Sequence, residues 1–421
     1  MDNPGTRAIL GGMAPDCDIL IIGGGLNGPA LALALAGAGL RVAIIDARPP
    51  PARAEAGFDG RAYALSIASV RLLQAVGVWG LVRPVAQPIL KVIASDGRIG
   101  PGPGPLWLEF DNAEIEEGPM GHLVEDRHLY AALVQAMSAQ SRITRLGGQG
   151  AVAQEIGPQA AVVTLDSGQR LTGRVLIGAD GRASGVAARA GIRRQGHGYG
   201  QTALVCAVRH ERDHQGRAHQ LFTPGGPFAI LPLVGGHHSS VVWSEPDGSA
   251  AAIAALGDSD FLTALGARFG SFLGPIALAG ARFSYPLSLS LAERFAGPRL
   301  ALVGDAAHGV HPLAGQGLNL GLRDVAALAE VLVDASRRGE DVGALDVLTR
   351  YQTWRRAEAM ALALGMDAVN ALFSNDNPIL RAGRDLGLGL INALPGARRA
   401  FIRQAAGLSG SMPRLMTGRA L

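Results

Sequence analysis

The segment that most constrains this chain is residues 16–48, DCDILIIGGGLNGPALALALAGAGLRVAIIDAR. An apolar run from Asp18 to Ile22 reads as a buried strand, and the Ala/Leu-rich stretch after GGGLNG reads as a helix. Gly23, Gly25 and Gly28 satisfy GxGxxG directly between them, and Asp46 closes the next strand. Each residue type has a physical task in that geometry. The early glycines permit a tight turn and close approach of a pyrophosphate, and Gly28 permits helix–sheet contact. Asp46 can accept hydrogen bonds from a ribose hydroxyl. The segment is apolar enough to resemble a membrane span, but its glycines and Arg41 fit strand, turn, helix, strand better, and no transmembrane helix is expected.

Two further apolar runs end the same way, Val175–Ile177 before GADG and Leu300–Val303 before GDAAH. Ligands of a parallel sheet lie beyond the carboxyl ends of its strands, so three distant turns can converge on one elongated molecule. An ADP moiety is common to NAD(P) and FAD, and the first loop alone leaves both open. No second GxGxxG in strand–turn–helix context occurs, which argues against a dedicated nicotinamide domain and for one cofactor with a long tail. A further element, HPLAGQGLNLGLRD at 311–324, places glycines, a Pro and an Asn before a helix, where backbone N–H groups and the positive dipole end can meet a ligand.

Length and composition narrow the rest. A chain of 421 residues exceeds one ordinary compact core, so two domains, or one interrupted by another, are expected. The 48% hydrophobic and 17% charged content is that of a globular protein, and a net charge of +3 predicts no nucleic-acid partner. Cys17 and Cys206 form neither a CxxC pair nor a disulfide framework, which favours a reducing compartment and excludes a structural zinc site. Residues 1–16 read as a disordered leader without the features of a signal peptide. TALVCAV, FAILPLV, SSVVWS and ARFSYPLSL read as strands of an antiparallel sheet, and the chain beyond about Asp324 reads as helical.

Taken together, GGGLNG with Asp46, GFDGRAYALS, GADGRAS and GDAAHGVHPLAGQGLNLGLRD resemble the class A flavoprotein monooxygenases of the p-hydroxybenzoate hydroxylase type. HPLAGQGLNLGLRD is similar to the signature of the ubiquinone-biosynthesis hydroxylases, and VAQPILKVIASDG and GHLVEDRHL resemble further blocks of that family. The resemblance implies an α/β fold: a Rossmann-like FAD-binding domain of the glutathione-reductase type, interrupted by a mixed or antiparallel β-sheet substrate domain, with C-terminal helices. The FAD-binding domain would comprise 17–77, 113–190 and 285–345, the substrate domain 78–112 and 191–284, and the helical region 346–421.

The resemblance also implies site residues. Asp305 would hold the ribityl chain, Arg127 the pyrophosphate region, and Arg61 would lie near FAD and the incoming nicotinamide. Asp180 would touch both the cofactor and the donor path. Pro312, Gly315, Gln316, Gly317, Leu318 and Asn319 would line the isoalloxazine, with Pro312 as the flavin-facing candidate, and backbone N–H groups of that helix start can stabilise negative charge on reduced flavin. His308 and His311 form an HxxH pair without a third ligand, so no metal is expected. Tyr199, His197 and His210 are as readily structural as catalytic, and no general base is nominated.

The implied activity is an FAD-dependent hydroxylation in which NAD(P)H reduces the cofactor and O2 enters through a flavin C4a-hydroperoxide, acting on a polyprenylated phenol in ubiquinone biosynthesis. Two alternatives stand beside it: a flavin reductase or dehydrogenase of a prenyl or aromatic substrate, and a non-catalytic FAD-containing subunit of a quinone-synthesis complex. After Asp385 the chain has no acidic residue, while Arg398, Arg399, Arg403, Arg414 and Arg419 alternate with apolar residues. Such a tail fits a cytoplasmic protein lying peripherally on the inner membrane face, or a basic helix packing on its own domain or on a partner.

Overall fold

The computed structural model describes residues 15–49, 61–98, 102–310, 315–373 and 394–421. The first fifty residues fold as their pattern predicts. Cys17–Ile22 pairs in parallel with Val42–Asp46 on one side and with Arg170–Gly178 on the other. Ile143–Gly147 and Leu300–Leu302 extend the parallel set outward. Ala296–Gly297 closes one edge, while Ala161–Leu165 pairs antiparallel with the start of Arg170–Gly178 and carries Ala151–Ile156 antiparallel on its other side.

The helix Asn27–Gly37 is buried along nearly its whole length, which is why its Ala/Leu pattern lacks a polar face. It packs between the helices Asp126–Ser138 and Gln316–Arg337. Leu31 and Leu35 are fully buried, and each such leucine contributes roughly 1.5–3 kcal/mol relative to exposure.

A second sheet of nine strands stands opposite. Its spatial order is His308–Gly309, Phe283–Ala292, Arg194–His210, His238–Pro246, Gly226–Pro232, Arg217–Thr223, Lys91–Arg98 and Gly102–Asp111, with Ile276–Leu278 also pairing to Arg194–His210. The four segments read as antiparallel strands all lie here. The boundary drawn at residue 285 falls inside Phe283–Ala292, which belongs wholly to this sheet. Its outer face packs on the helices Asp247–Ala254 and Asp258–Phe269 through Trp243, Phe228, Phe261 and Phe269. The inner face turns toward the parallel sheet. Three short strands, Ala62–Ser66, Gly121–Glu125 and Gln87–Ile89, form a small sheet that packs on Val92, Ala207 and Ala218 of the nine-stranded one. The C-terminal region supplies the helices Leu345–Phe373 and Pro395–Ala405.

Candidate active site

A cavity of about 1070 Å³ runs between the carboxyl edge of the parallel sheet and the inner face of the nine-stranded sheet. The glycine loop forms one end. Gly23 has φ +114°, and a Cβ there would sit 2.3 Å from the Ala179 carbonyl oxygen, so the first and second turns can meet only at a glycine. A Cβ on Gly28 would lie 2.0 Å from the Gly23 oxygen, fixing the helix start against the loop. Gly25 differs, because an added Cβ meets no atom within 4 Å and the residue borders the cavity. Two of the three motif glycines are therefore packing requirements, and the third leaves an open cradle.

Asp46 stands where the motif predicts and is engaged by the loop itself. Its Oδ2 accepts the Gly24 N–H at 2.7 Å and its Oδ1 accepts the Arg48 N–H at 2.8 Å. Each carboxylate oxygen keeps a further acceptor position for a hydroxyl. Asn27, at an unspecified position of the motif, lines the cavity between Gly304 and Gly321, both of which have no room for a Cβ beside its amide. Its Oδ1 is buried and has no hydrogen-bond partner among the described residues. Such a group is costly unless a ligand completes it.

The GDAAH turn brings Asp305 to the cavity, where Arg182 pairs with it at 3.1 Å. Arg194 fixes the turn from behind by donating to the carbonyls of Asp305, at 2.9 Å, and Ala306. Gly315 has φ +63° at the head of the helix Gln316–Arg337, and it lines the cavity with Gln316, Gly317, Leu318 and Asn319. Asn319 is less available than expected. Its Oδ1 accepts from Ser66 N and Ser69 Oγ, and its Nδ2 donates to the carbonyls of Ala64 and Gly315.

Away from these loops the cavity becomes apolar and smooth. The inner sheet face offers Val205, Ala218, Ala229 and Val242, continuing through Ala94, Leu108 and Phe110 toward Met120. Ile402, Ala405 and Ala406 of the C-terminal segment roof that far part, and Val369, Leu372 and Phe401 line it while remaining exposed. Polar groups are few; among them, Tyr285 has its phenol pushed up by burial.

The other expected residues are distributed unevenly. Arg61 lines the cavity, about half exposed, and pairs with the buried Asp126 at 3.7 Å. Arg127 donates instead to Glu125 at 2.7 Å, outside the residues that line the cavity. The Asp180 carboxylate accepts from Ser184 Oγ and Val186 N, fastening the start of the short helix Gly185–Arg189, while its neighbours Ala179 and Gly181 line the cavity. Tyr199 bonds Asp367, and His210 bonds Arg212 O and Ser239 Oγ; neither is among the residues that line the cavity. His308 turns to Asp324, and no cluster able to hold a metal occurs among the described residues. Pro312 and His311 lie outside the described residues.

The profile of the family described as "FAD binding domain" matches residues 16–364. The chain belongs to this FAD-binding family. It is 43% identical to "Ubiquinone hydroxylase UbiL" of Rhodospirillum rubrum over 98% of this chain and 95% of that protein. It is 37% identical to "3-demethoxyubiquinol 3-hydroxylase" of Escherichia coli over 93% and 98% of the two chains. Among solved structures, p-nitrophenol 4-monooxygenase PnpA from Pseudomonas putida superposes with a TM-score of 0.78 at 19% identity, covering 93% of this chain and 98% of that one.

The protein is thus an FAD-dependent monooxygenase of the class A type, and its residues suit FAD. The open cradle at Gly25 and the orphaned Asn27 oxygen stand at one end of an elongated cavity whose other wall is a helix start. When bound, FAD supplies the electron transfer and oxygen activation that side chains do not provide. Sequence reading missed Asn27, Arg182 and the C-terminal roof. Asn27 occupies a position the motif leaves unspecified, and Ile402 and Ala406 lie far along the chain from Ala94, Leu108, Phe110 and Met120, the part of the cavity they roof.

Proposed function

We propose that the protein hydroxylates the aromatic ring of a polyprenylated phenol in ubiquinone biosynthesis, with NAD(P)H as electron donor. In balance, a ring C–H becomes C–OH with one atom of O2. The other atom leaves as water, using two electrons from NAD(P)H and a proton. The observation that carries this reading is the continuity of one cavity, from the glycine loop and the Gly315–Asn319 helix start to an apolar floor under the C-terminal helix. A phenol head with an isoprenoid chain matches that gradient from polar to apolar walls.

In this reading Gly23, Gly25, Gly28 and Asp46 seat the ADP half of FAD, Asp305 meets the ribityl chain, and Gly315, Gln316, Gly317 and Leu318 border the ring. Asn319 acts through the loop it fastens. Arg61 and Arg182 offer positive charge at the cavity rim, and Arg127 and Asp180 support the loops from outside it. The tail lies along Ala94, Leu108, Phe110 and Met120. The test is turnover: purified holoenzyme should oxidise NAD(P)H in proportion to hydroxylated product. Product formed without O2 would instead support a reductase, and flavin that no nicotinamide reduces would support a non-catalytic subunit.

A peripheral contact with an anionic membrane face is part of the proposal. Leu364, Val369, Leu372, Leu394 and Phe401 are exposed on the C-terminal helices and the residue preceding the second of them, with the exposed Arg399 and Arg403 nearby in sequence. Apolar groups beside arginines suit an anionic interface. No helix among the described residues is long and apolar enough to cross a membrane. Replacing Leu394 and Phe401 by Glu should abolish sedimentation with anionic vesicles; unchanged sedimentation removes the membrane contact.

A further inference from the structure

Behind the cofactor wall runs a chain of hydrogen-bonded charged side chains. His308 and Asp324 are buried to 1% and 0% exposure, and Arg355 to 0%. Asp324 Oδ2 accepts from His308 Nε2 and, at 3.1 Å, from Gly304 N; its Oδ1 accepts from Arg355 Nε at 2.8 Å. Arg355 Nη1 donates to Glu358, and the other Glu358 oxygen pairs with Arg323 Nη1 at 2.8 Å. Arg323 Nη2 then donates to Ser409 O at 2.6 Å. None of these five side chains is among the described residues lining the cavity.

The two ends of the chain adjoin segments that line it. Gly304 precedes Asp305 in the cofactor-facing turn, and Ser409 follows Ile402, Ala405 and Ala406, which roof the apolar part. Ala68 N donates to Ala406 O at 3.2 Å, so the roof is also held to the start of the helix Ile67–Ala75. Burying ion pairs rarely stabilises a fold beyond what apolar residues of equal volume would, whereas it restricts geometry and penalises loss of one partner heavily. Burial raises the Asp324 carboxyl, but His308 and Arg355 outweigh that and hold it below the usual carboxylate range, so it remains the anion the chain requires.

We propose that Asp324 is a positioning residue, and that the chain Asp324–Arg355–Glu358–Arg323 couples the cofactor-facing turn at Gly304–Asp305 to the C-terminal roof over the substrate end of the cavity. FAD binding at the turn then orders the roof. By reciprocity, a fixed roof tightens FAD binding. The inference rests on the assignment of FAD to this cavity.

The test is hydrogen–deuterium exchange on apoprotein with and without added FAD, together with FAD titration by flavin fluorescence. In the wild type, FAD should slow exchange both at residues 23–31 and at 402–412. In Arg323→Met and Glu358→Gln, protection at 23–31 should persist while protection at 402–412 is lost, and the FAD dissociation constant should rise by roughly fivefold or more, a coupling of ordinary size. Glu358 is partly exposed, so Glu358→Gln should fold and keeps the test readable. Roof protection that is absent in the wild type, or equal in the variants, overturns the coupling. Loss of protection at 23–31 in the wild type would overturn the cofactor assignment instead.

Discussion

Asn319 Oδ1 accepts the backbone N–H of Ser66 at 2.9 Å, joining the head of the helix Gln316–Arg337 to the strand Ala62–Ser66 across 253 residues of sequence. The same oxygen accepts from Ser69 Oγ, and the amide nitrogen donates to Ala64 and Gly315. One side chain thus satisfies buried groups on two walls of the cofactor cavity. Replacing Asn319 by Ala should destabilise the protein by about 2–4 kcal/mol, since it strands buried donors and acceptors. Urea unfolding of the apoprotein measures this, and a change below about 1 kcal/mol would contradict the clamp.

The glycine loop separates packing from ligand binding. Gly28→Ala forces a Cβ onto the Gly23 oxygen and should cost about 2–3 kcal/mol or more. A Cβ at Gly25 meets no protein atom within 4 Å, so with Gly25→Ala stability should change by less than about 0.5 kcal/mol. Filling the cradle should still raise the FAD dissociation constant at least about tenfold. Thermal unfolding of apoprotein and fluorescence titration with FAD distinguish the two variants.

These contrasts show how much of the site was legible beforehand. Strand, glycine turn, helix and acid follow local spacing rules, so Gly23, Gly28 and Asp46 could be read from sequence, as could the antiparallel texture of the inserted sheet. Spacing does not reveal which polar groups spend their bonds on the protein. Asp180 and Asn319 carry the expected identities at the expected motifs, yet their side chains fasten backbone. The Asp324 chain and the C-terminal roof depend on contacts between distant segments, and a periodic helix pattern cannot show what its buried acid meets.

The substrate end of the cavity can be probed by size. Ala94 faces it from the strand Lys91–Arg98, next to Leu108 and Phe110. Ala94→Phe should raise KM for a long-chain prenyl phenol by roughly tenfold, about 1.4 kcal/mol of lost binding, and leave a short-chain analogue nearly unchanged. Steady-state kinetics with both substrates checks it; equal effects on the two would place the tail elsewhere.

His219 packs against Phe272 at 4.6 Å, and burial pulls its imidazole down to about 4 from an ordinary 6.5. The unfolded chain therefore binds this proton more readily than the folded one. Stability should fall as pH drops from about 6.5 toward about 4, by up to about 3 kcal/mol from this group, and level off below. His219→Phe should flatten that part of the stability profile measured by urea unfolding. An identical slope in the variant would assign the effect to other groups.

The central claim is most directly tested by incubating FAD-loaded protein with a polyprenylated phenol, NAD(P)H and isotopically labelled O2, then weighing the product. The account predicts one labelled oxygen atom in the ring of each product molecule, with NAD(P)H consumed in step. Product carrying oxygen from water, or NAD(P)H oxidation that yields only peroxide with every prenyl phenol supplied, would contradict it.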